Sequence, residues 1–429
     1  MNGAGLHDRA LSRQLRGSGM VRVMVRVASI LAVALLVASP GMAAGQAVGV
    51  TSLAAPDAFS IPGRDTGLPQ TLWKSASLKT ARTVLPLLGA KTLSPAGAAL
   101  ARRILAAGAP GPEGVGSDPA LIGARAAGLM AQGDPKAAAE LLAHAPGVDR
   151  DADLARVTAE SALLAGQDAQ ACAVAQGLGA GRGEVYWLRL RTFCQIEAGQ
   201  FDQAQLTFDL AQAQAPDAVF GRFIGAALAA AGDFGAARPG APSLRNGLDY
   251  ALSRSFRLDL AGAKASPAVA AAMSAADPAP LTFDLAAIQG DVAPLANAVA
   301  AGQPISTPIL VAMIEMAAST DPKTRARGVA GVLLAAAFST PMSADVRGQV
   351  AALALAEGKA PLGRNLALDE AAGQSLAGEA AMLALWTCAE AGPAGPALAD
   401  RIRIVHALHA VGLDADARAF ALEGLLALK

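Results

Sequence analysis

The chain has 429 residues, of which 53% are hydrophobic and only 4% aromatic, and it carries 35 basic and 35 acidic side chains. A core with so few rings must be built from alanine, leucine and valine, which suits closely packed helices. The balanced charge argues against a nucleic-acid-binding protein, because such proteins carry a basic surface. The mean hydropathy is +0.39. Beyond the N-terminal segment, however, no uncharged run is long enough to be a convincing membrane span.

Residues 1–44 have the three-part pattern of a secretory signal peptide. Five arginines and one aspartate make the first 26 residues basic, an apolar run covers 27–38, and small residues follow at 40–44. Met20 is an equally good start, since a chain beginning there keeps two of the arginines. The alternative is an uncleaved anchor, although the apolar run is shorter than the roughly 20 residues needed to span a bilayer.

Either reading of this segment places the rest of the chain outside the cytoplasm. We expect a periplasmic or secreted protein of the bacterial cell envelope, whose signal peptide engages the membrane only during export. Residues 1–44 contain five of the 35 basic and one of the 35 acidic side chains, so the remainder has a net charge of about −4. This charge adds to the case against nucleic acid as a partner.

The next segments are a leader and two helices. Residues 45–70 contain glycine, proline, serine and aspartate without periodicity, which predicts a flexible leader. A helix is expected over 72–88, interrupted or ended near Pro86. A second helix begins at Ser94 and Pro95, with serine as N-cap and proline in the first turn, and runs to about residue 107. Residues 109–119, rich in glycine and proline, are predicted to be a loop.

One pattern recurs every 33 residues between Leu121 and Ala237. Each copy has a glycine followed five residues later by an alanine, and the pairs are Gly133 and Ala138, Gly166 and Ala171, Gly199 and Ala204, and Gly232 and Ala237. Apolar runs of helical length flank each glycine, so each copy is predicted to be a helix, a tight turn and a helix. Glycine suits the turn because it adopts positive φ, and alanine lets antiparallel helices approach to about 8 to 10 Å.

These copies resemble the tetratricopeptide repeat (TPR) family, whose period is about 34 residues. The third copy is the best match, because Phe201 stands two residues after its glycine and Ala204 three residues further on. Phe234 repeats the aromatic in the fourth copy. The period is one residue short, and Trp187 stands one place before the family's tryptophan. The resemblance implies an α-solenoid of antiparallel helix pairs with an extended concave surface, and it implies no particular activity.

The regular pattern ends after the fourth copy. Pro239 and Pro242 interrupt the second helix expected there, so we place a soft boundary between TPR-like repeats at 71–243 and an irregular helical region at 244–429. Helices in that region are predicted at about 244–256, 266–275, 282–289, 292–301, 307–318, 322–337, 343–356, 365–372, 376–390, 396–411 and 414–427. No alternating β-rich run occurs, so the expected fold class is all-α.

The three cysteines have different expected roles. If each 33-residue copy forms a pair of helices, Cys172 lies early in the second helix of the second unit and Cys194 lies late in the first helix of the third unit. Antiparallel packing would bring the two cysteines to similar positions along the helix axes. They could then form a disulfide in an oxidising compartment. The alternative is two small buried thiols. Cys388 has no evident mate and is expected to be a core residue.

Neither catalysis nor a cofactor is expected. His406 and His409 share a helix face without a nearby carboxylate or thiol cluster, so no metal site is predicted. The sequence contains no Cys-His nucleophile pair, Gly-x-Ser-x-Gly elbow or phosphate-binding loop.

Three arginines recur at the 33-residue interval, ten residues before their glycines: Arg156, Arg189 and Arg222. In the family resembled, the first helices line the concave groove, so the resemblance places these arginines, with Tyr186 and Phe193, on that face. Three guanidinium groups in a row would bind carboxylates or an extended acidic peptide. The alternative is that these arginines form a row on the surface that is solvated or paired with carboxylates of the same chain, since Glu160 lies four residues after Arg156.

The sequence therefore predicts an exported, noncatalytic envelope scaffold that binds a protein or peptide on a concave helical surface. One alternative is a helical glycan-binding or enzyme-associated domain of cell-wall processing, which the scarcity of aromatic side chains disfavours. Another is a structural envelope protein without a ligand.

Overall fold

Helices make up the regular structure of the described residues. A computed structural model describes residues 56–231, 233–274, 280–288 and 290–428. These residues form 19 α-helices and three short 3-10 helices, with one isolated bridge between Leu244 and Ala265 and no β-strand. The all-α prediction is therefore confirmed. The predicted signal peptide, leader residues 45–55 and Gly232 lie outside the described residues.

Nine helices cover the first half of the described chain. They are α1 (Leu78–Ala90), α2 (Pro95–Ala106), α3 (Pro119–Ala131), α4 (Pro135–Ala143), α5 (Ala152–Leu164), α6 (Asp168–Gly177), α7 (Val185–Glu197), α8 (Phe201–Gln214) and α9 (Ala218–Ala229). α2 begins as predicted, because Ser94 caps it by accepting a hydrogen bond from the Gly97 N–H group. α1 differs from its prediction, since it starts at Leu78 and continues through Pro86. Pro86 and Arg82 are exposed, so water can reach the carbonyl that proline leaves unpaired.

Three of the repeat turns share one geometry. Gly133, Gly166 and Gly199 have φ values of +85°, +76° and +71°. The N–H group of the residue after each glycine donates a 2.8 Å hydrogen bond to the carbonyl group four residues before that glycine. A left-handed residue with such a hydrogen bond is a common way for an α-helix to end. The alanines five residues after the glycines are all buried: Ala138, Ala171, Ala204 and Ala237. The predicted positive φ of glycine is thus confirmed in these three turns. Ala138, Ala171 and Ala204 are buried helical residues, whereas Ala237 is buried in a segment without a helix.

Ten helices follow. They are α10 (Gly247–Ser255), α11 (Pro267–Met273), α12 (Ala293–Ala300), α13 (Thr307–Ala317), α14 (Pro322–Ala337), α15 (Ala344–Ala351), α16 (Leu362–Gly373), α17 (Ala377–Ala391), α18 (Leu398–Ala410) and α19 (Asp414–Leu426). Residues 233–246 contain no helix, as the prolines predicted. The helix expected over 282–289 is only a 3-10 turn, Leu285–Ala287.

Two hydrophobic cores hold the described helices together. The larger one contains buried residues from Ala58 to Leu425, and the smaller one from Ala155 to Phe256. Both cores include residues from each side of the predicted boundary at 243. The first and last helices also pack together, since α1 contacts α17 and α2 contacts both α17 and α19. The C-terminal helices therefore share a core with the first helices.

None of the helices within residues 56–428 combines the length and the apolar character needed to cross a bilayer.

Candidate ligand-binding groove

A polar groove lies where α5, α7 and α9 meet the start of α10. Its lining includes Arg156 of α5, Tyr186 and Arg189 of α7, and Phe220 of α9, and its volume is about 340 Å³. Residues at the start of α10, among them Asp249, complete the lining. We call this site the Arg156 groove. It lies on the first helices of the second, third and fourth repeat units.

Two N-caps build one wall of the Arg156 groove. Asp217 begins α9 by accepting hydrogen bonds from the Val219 and Phe220 N–H groups at 2.9 and 3.0 Å. Asn246 begins α10 by accepting one from the Asp249 N–H group at 2.8 Å. Because a side-chain cap fixes where a helix starts, these two residues determine the position of the polar groups beside them.

Arg156 is the most available cation of the groove. Its guanidinium carbon lies 4.9 Å from the centroid of the Tyr186 ring, and its side chain is exposed. Among the described residues, no carboxylate forms an ion pair with it. A guanidinium held against a ring keeps its N–H donors in a defined plane. Arg156 can therefore donate a bidentate pair of hydrogen bonds to a carboxylate that enters the groove.

Arg189, in contrast, is neutralised by the protein. Its guanidinium lies 5.6 Å from the Phe220 ring centroid, 3.4 Å from an Asp217 carboxylate oxygen and 2.9 Å from the Ala215 carbonyl oxygen. Asp217 also accepts a hydrogen bond from Arg245 at 3.1 Å. Arg189 therefore forms part of the groove wall with its charge balanced by Asp217, while its buried Nε atom has no hydrogen-bond partner among the described residues.

Arg245 ties the start of α10 to α9. It forms an ion pair with Asp249 four residues later and another with Asp217. Burial alone would raise the pKa of Asp217, but hydrogen bonds from the Phe220 N–H group and from Arg245, with the charges of Arg245 and Arg189, lower it. This carboxylate is therefore ionised at neutral pH and balances the two arginines.

A buried carboxyl group supports the groove from behind. Glu160 accepts a hydrogen bond from the Gly247 N–H group at 2.7 Å, at the start of α10. A β-carbon at Gly247 would lie 2.8 Å from that carboxyl oxygen, so glycine is required for this approach. Burial raises the pKa of Glu160, and burial together with the Glu160 charge raises the pKa of Tyr186. Tyr186 thus keeps its proton as it supports Arg156.

Two residues expected on the concave face lie elsewhere. Arg222 donates hydrogen bonds to the carbonyl groups of Pro239 and Ala241, because the segment that replaces the missing helix of the fourth unit passes beside it. Phe193 lies two turns after Tyr186, on nearly the same face of α7, but it is fully buried in the smaller core and does not line the groove. The expected ladder of three arginines is therefore reduced to Arg156 and Arg189.

Two of the three cysteines join neighbouring repeat helices. The structure joins Cys172 of α6 to Cys194 of α7 in a disulfide, with a Cα to Cα distance of 5.6 Å. This bond links the second and third repeat units. Cys388 is a free, buried thiol of α17, so its prediction as a core residue is confirmed.

Several residues that shape polar sites were missed from sequence. Arg245 and Asp249 stand four residues apart at a helix start, which is a usable signal for an ion pair. Asp414 lies 2.6 Å from the Nδ1 atom of His409, a contact that the sequence reading did not include. Only the turn at Gly412 separates these two residues, so the sequence also contained a signal for this contact.

The side chains of the Arg156 groove can bind a ligand through hydrogen bonds and charge. Between residues 56 and 428, the described side chains include no group of three or more histidines, cysteines, aspartates or glutamates placed to hold a metal ion. No protein family, curated protein or solved structure matched the chain when it was compared with all three.

Proposed function

We propose that this chain is a noncatalytic helical scaffold whose TPR-like repeats bind a carboxylate-bearing peptide segment of a partner protein in the Arg156 groove. The observation that carries the proposal is the Arg156 guanidinium, which is exposed, fixed on Tyr186 and not paired with any described carboxylate. A positioned cation of this kind suits a planar carboxylate.

A second charge in the groove favours a peptide over a simple anion. Glu184, at the start of α7, lines the same groove, is exposed and forms no ion pair among the described residues. A peptide carries N–H donors beside its carboxylates, so it can satisfy Glu184 and Arg156 together. A simple anion would be attracted to one and repelled by the other.

The aromatic rings of the groove disfavour a glycan. Sugar recognition by ring stacking needs an open aromatic face, and here Arg156 covers Tyr186 and Arg189 covers Phe220. Both rings therefore serve to hold guanidinium groups.

The proposed compartment is the bacterial cell envelope. It is supported by the signal-peptide pattern of residues 1–44 and by the Cys172–Cys194 disulfide, since such bonds persist in oxidising compartments. Fractionation of cells expressing the full chain, followed by N-terminal sequencing, tests this. A cytoplasmic product with its first 44 residues intact would contradict it.

Binding of peptides to the purified chain tests the groove. A peptide array of random sequence, probed with the wild type and with Arg156→Gln, should show enrichment of aspartate and glutamate for the wild type only. Arg325→Gln is the matched control, because Arg325 is an exposed arginine of α14 with the same change of charge. For a selected peptide, Arg156→Gln should weaken binding about tenfold or more, the effect of losing a charge-assisted hydrogen bond.

Two results would contradict the proposal. One is equal enrichment by the wild type and Arg156→Gln, and the other is equal loss in Arg156→Gln and Arg325→Gln. Binding to purified cell-wall glycan that survives in Arg156→Gln would instead favour the glycan alternative.

A further inference from the structure

A second cavity of about 350 Å³ lies far along the chain from the Arg156 groove. It is formed by the segment after α12, the segment after α14 and the turn between α18 and α19. Its apolar lining comes from Val299, Pro304, Ile305, Phe338 and Pro341. Its polar lining includes His409, Asp414 and Arg418. We call this cavity the Arg418 pocket.

Arg418 contributes the cation of the pocket. Its Nη1 atom would lie 3.4 Å from a β-carbon at Gly302, whose φ of +62° also favours glycine, so the guanidinium lies directly over that backbone. Among the described residues, no carboxylate forms an ion pair with Arg418. Its natural partner is Asp414, four residues earlier on α19, but that carboxylate is 2.6 Å from the Nδ1 atom of His409.

His409 is held in one orientation by two neighbours. A carboxylate can only accept a hydrogen bond, so the Nδ1–H group donates to Asp414 and Nε2 is the ring nitrogen left for a ligand. The Phe338 ring packs edge-on against the imidazole, with centroids 5.5 Å apart. The pocket therefore presents one fixed imidazole and one unpaired guanidinium beside an apolar wall.

We propose that the Arg418 pocket binds a small organic acid, with its carboxylate on Arg418 and an aromatic or branched aliphatic body against Ile305, Phe338 and Pro341. The volume falls within the range of about 300 to 1,000 Å³ that small-molecule sites occupy. Arg418 forms no ion pair among the described residues, so its guanidinium can donate hydrogen bonds to one carboxylate. The apolar wall excludes inorganic anions, because these would lose water there without gaining hydrogen bonds. The inference does not depend on the Arg156 groove.

Titration of the purified chain with benzoate and 3-phenylpropionate, followed by calorimetry and ligand-observed NMR, tests the pocket. Benzamide and 3-phenylpropionamide are neutral probes of the same shape, and acetate carries the charge without the apolar body. We expect at least one aromatic acid to bind in the millimolar range or tighter. The matching amide and acetate should bind about tenfold more weakly or worse.

Arg418→Gln should lower the affinity for the acid to that of its amide. Arg325→Gln, which makes the same charge change outside the pocket, should leave binding unchanged. If Arg418→Gln fails to fold by circular dichroism, Arg418→Lys serves instead, and it should weaken binding while keeping the preference for acid over amide. The proposal is overturned if neither acid binds the wild type, if amides bind as well as acids, or if the Arg418 variants bind normally.

Discussion

Replacing Arg125 with methionine should remove the hydrogen bonds that fasten the first described residues to α2 and α3. The Arg125 side chain is fully buried. Its guanidinium donates to the carbonyl oxygens of Ala58, Ile61, Leu105 and Ala107 at distances between 2.6 and 3.2 Å. Burial lowers the pKa of Arg125 to about 9, so the side chain is still protonated at neutral pH.

The size of the effect follows from these four acceptors. Methionine fills much of the same volume but has no donor, and each buried carbonyl left unpaired costs about 1 to 3 kcal/mol. Two effects reduce the total, because water can enter and because the variant no longer buries a charge. We expect Arg125→Met to lower the free energy of unfolding by about 3 to 5 kcal/mol, a large part of the roughly 5 to 15 kcal/mol that holds a domain folded.

Urea denaturation of the purified chain, followed by circular dichroism, measures this change. Limited proteolysis reports on the same contact, since cleavage near residues 56–63 should accelerate first. Arg82→Met is the matched control, because Arg82 is 56% exposed and its ion pair with Asp118 should contribute less than about 1 kcal/mol. If Arg125→Met were as stable as Arg82→Met, the carbonyl groups would not depend on the guanidinium and the reasoning would fail.

Four further changes test other parts of the structure. Replacing Cys172 and Cys194 with serine should lower the free energy of unfolding by about 3 kcal/mol, the loop-entropy value for a sequence separation of 22, and reductant should then have no effect on urea denaturation. Because burial raises the pKa of Glu160, its folded form holds the proton more tightly. The wild type should thus lose stability relative to Glu160→Gln as the pH rises above about 4.3, and a pH-independent difference in Tm would contradict this. Gly328→Ala should cost about 1 to 3 kcal/mol in urea denaturation, because its β-carbon would overlap the main chain of α13. Gly348→Ala, in an open part of α15, should stabilise by up to about 1 kcal/mol.

The repeat turns could be predicted because their causes are local. A left-handed glycine such as Gly133 closes a helix with hydrogen bonds inside a six-residue window, so the sequence of that window contains the whole signal. The helix starts at Ser94 and Asp134 are equally local, since each side chain caps an N–H group three residues ahead.

The candidate site was only partly predictable, because its residues meet through tertiary packing. The 33-residue interval placed Arg156 and Arg189 together, and the structure brings both to one groove. The same interval could not show that Arg222 turns toward residues 238–243, because that segment replaces a helix and has no counterpart in the other units. It also could not show that Asp217 neutralises Arg189 and leaves Arg156 as the available cation.

The packing of the first helices against the last ones includes N-terminal caps that come from helices distant in sequence. Glu379 of α17 accepts a hydrogen bond from the Ser77 N–H group at 2.7 Å at the start of α1, and Glu423 of α19 accepts one from the Ala96 N–H group at 2.8 Å at the start of α2. Glu160 caps α10 in the same way. A carboxylate is favourable at a helix N-terminus because it accepts from unpaired N–H groups and interacts with the helix dipole. Since apolar contacts between alanine-rich helices differ little from one pairing to another, Glu379 and Glu423 give the pairing of the first and last helices a directional specificity that the alanines cannot provide.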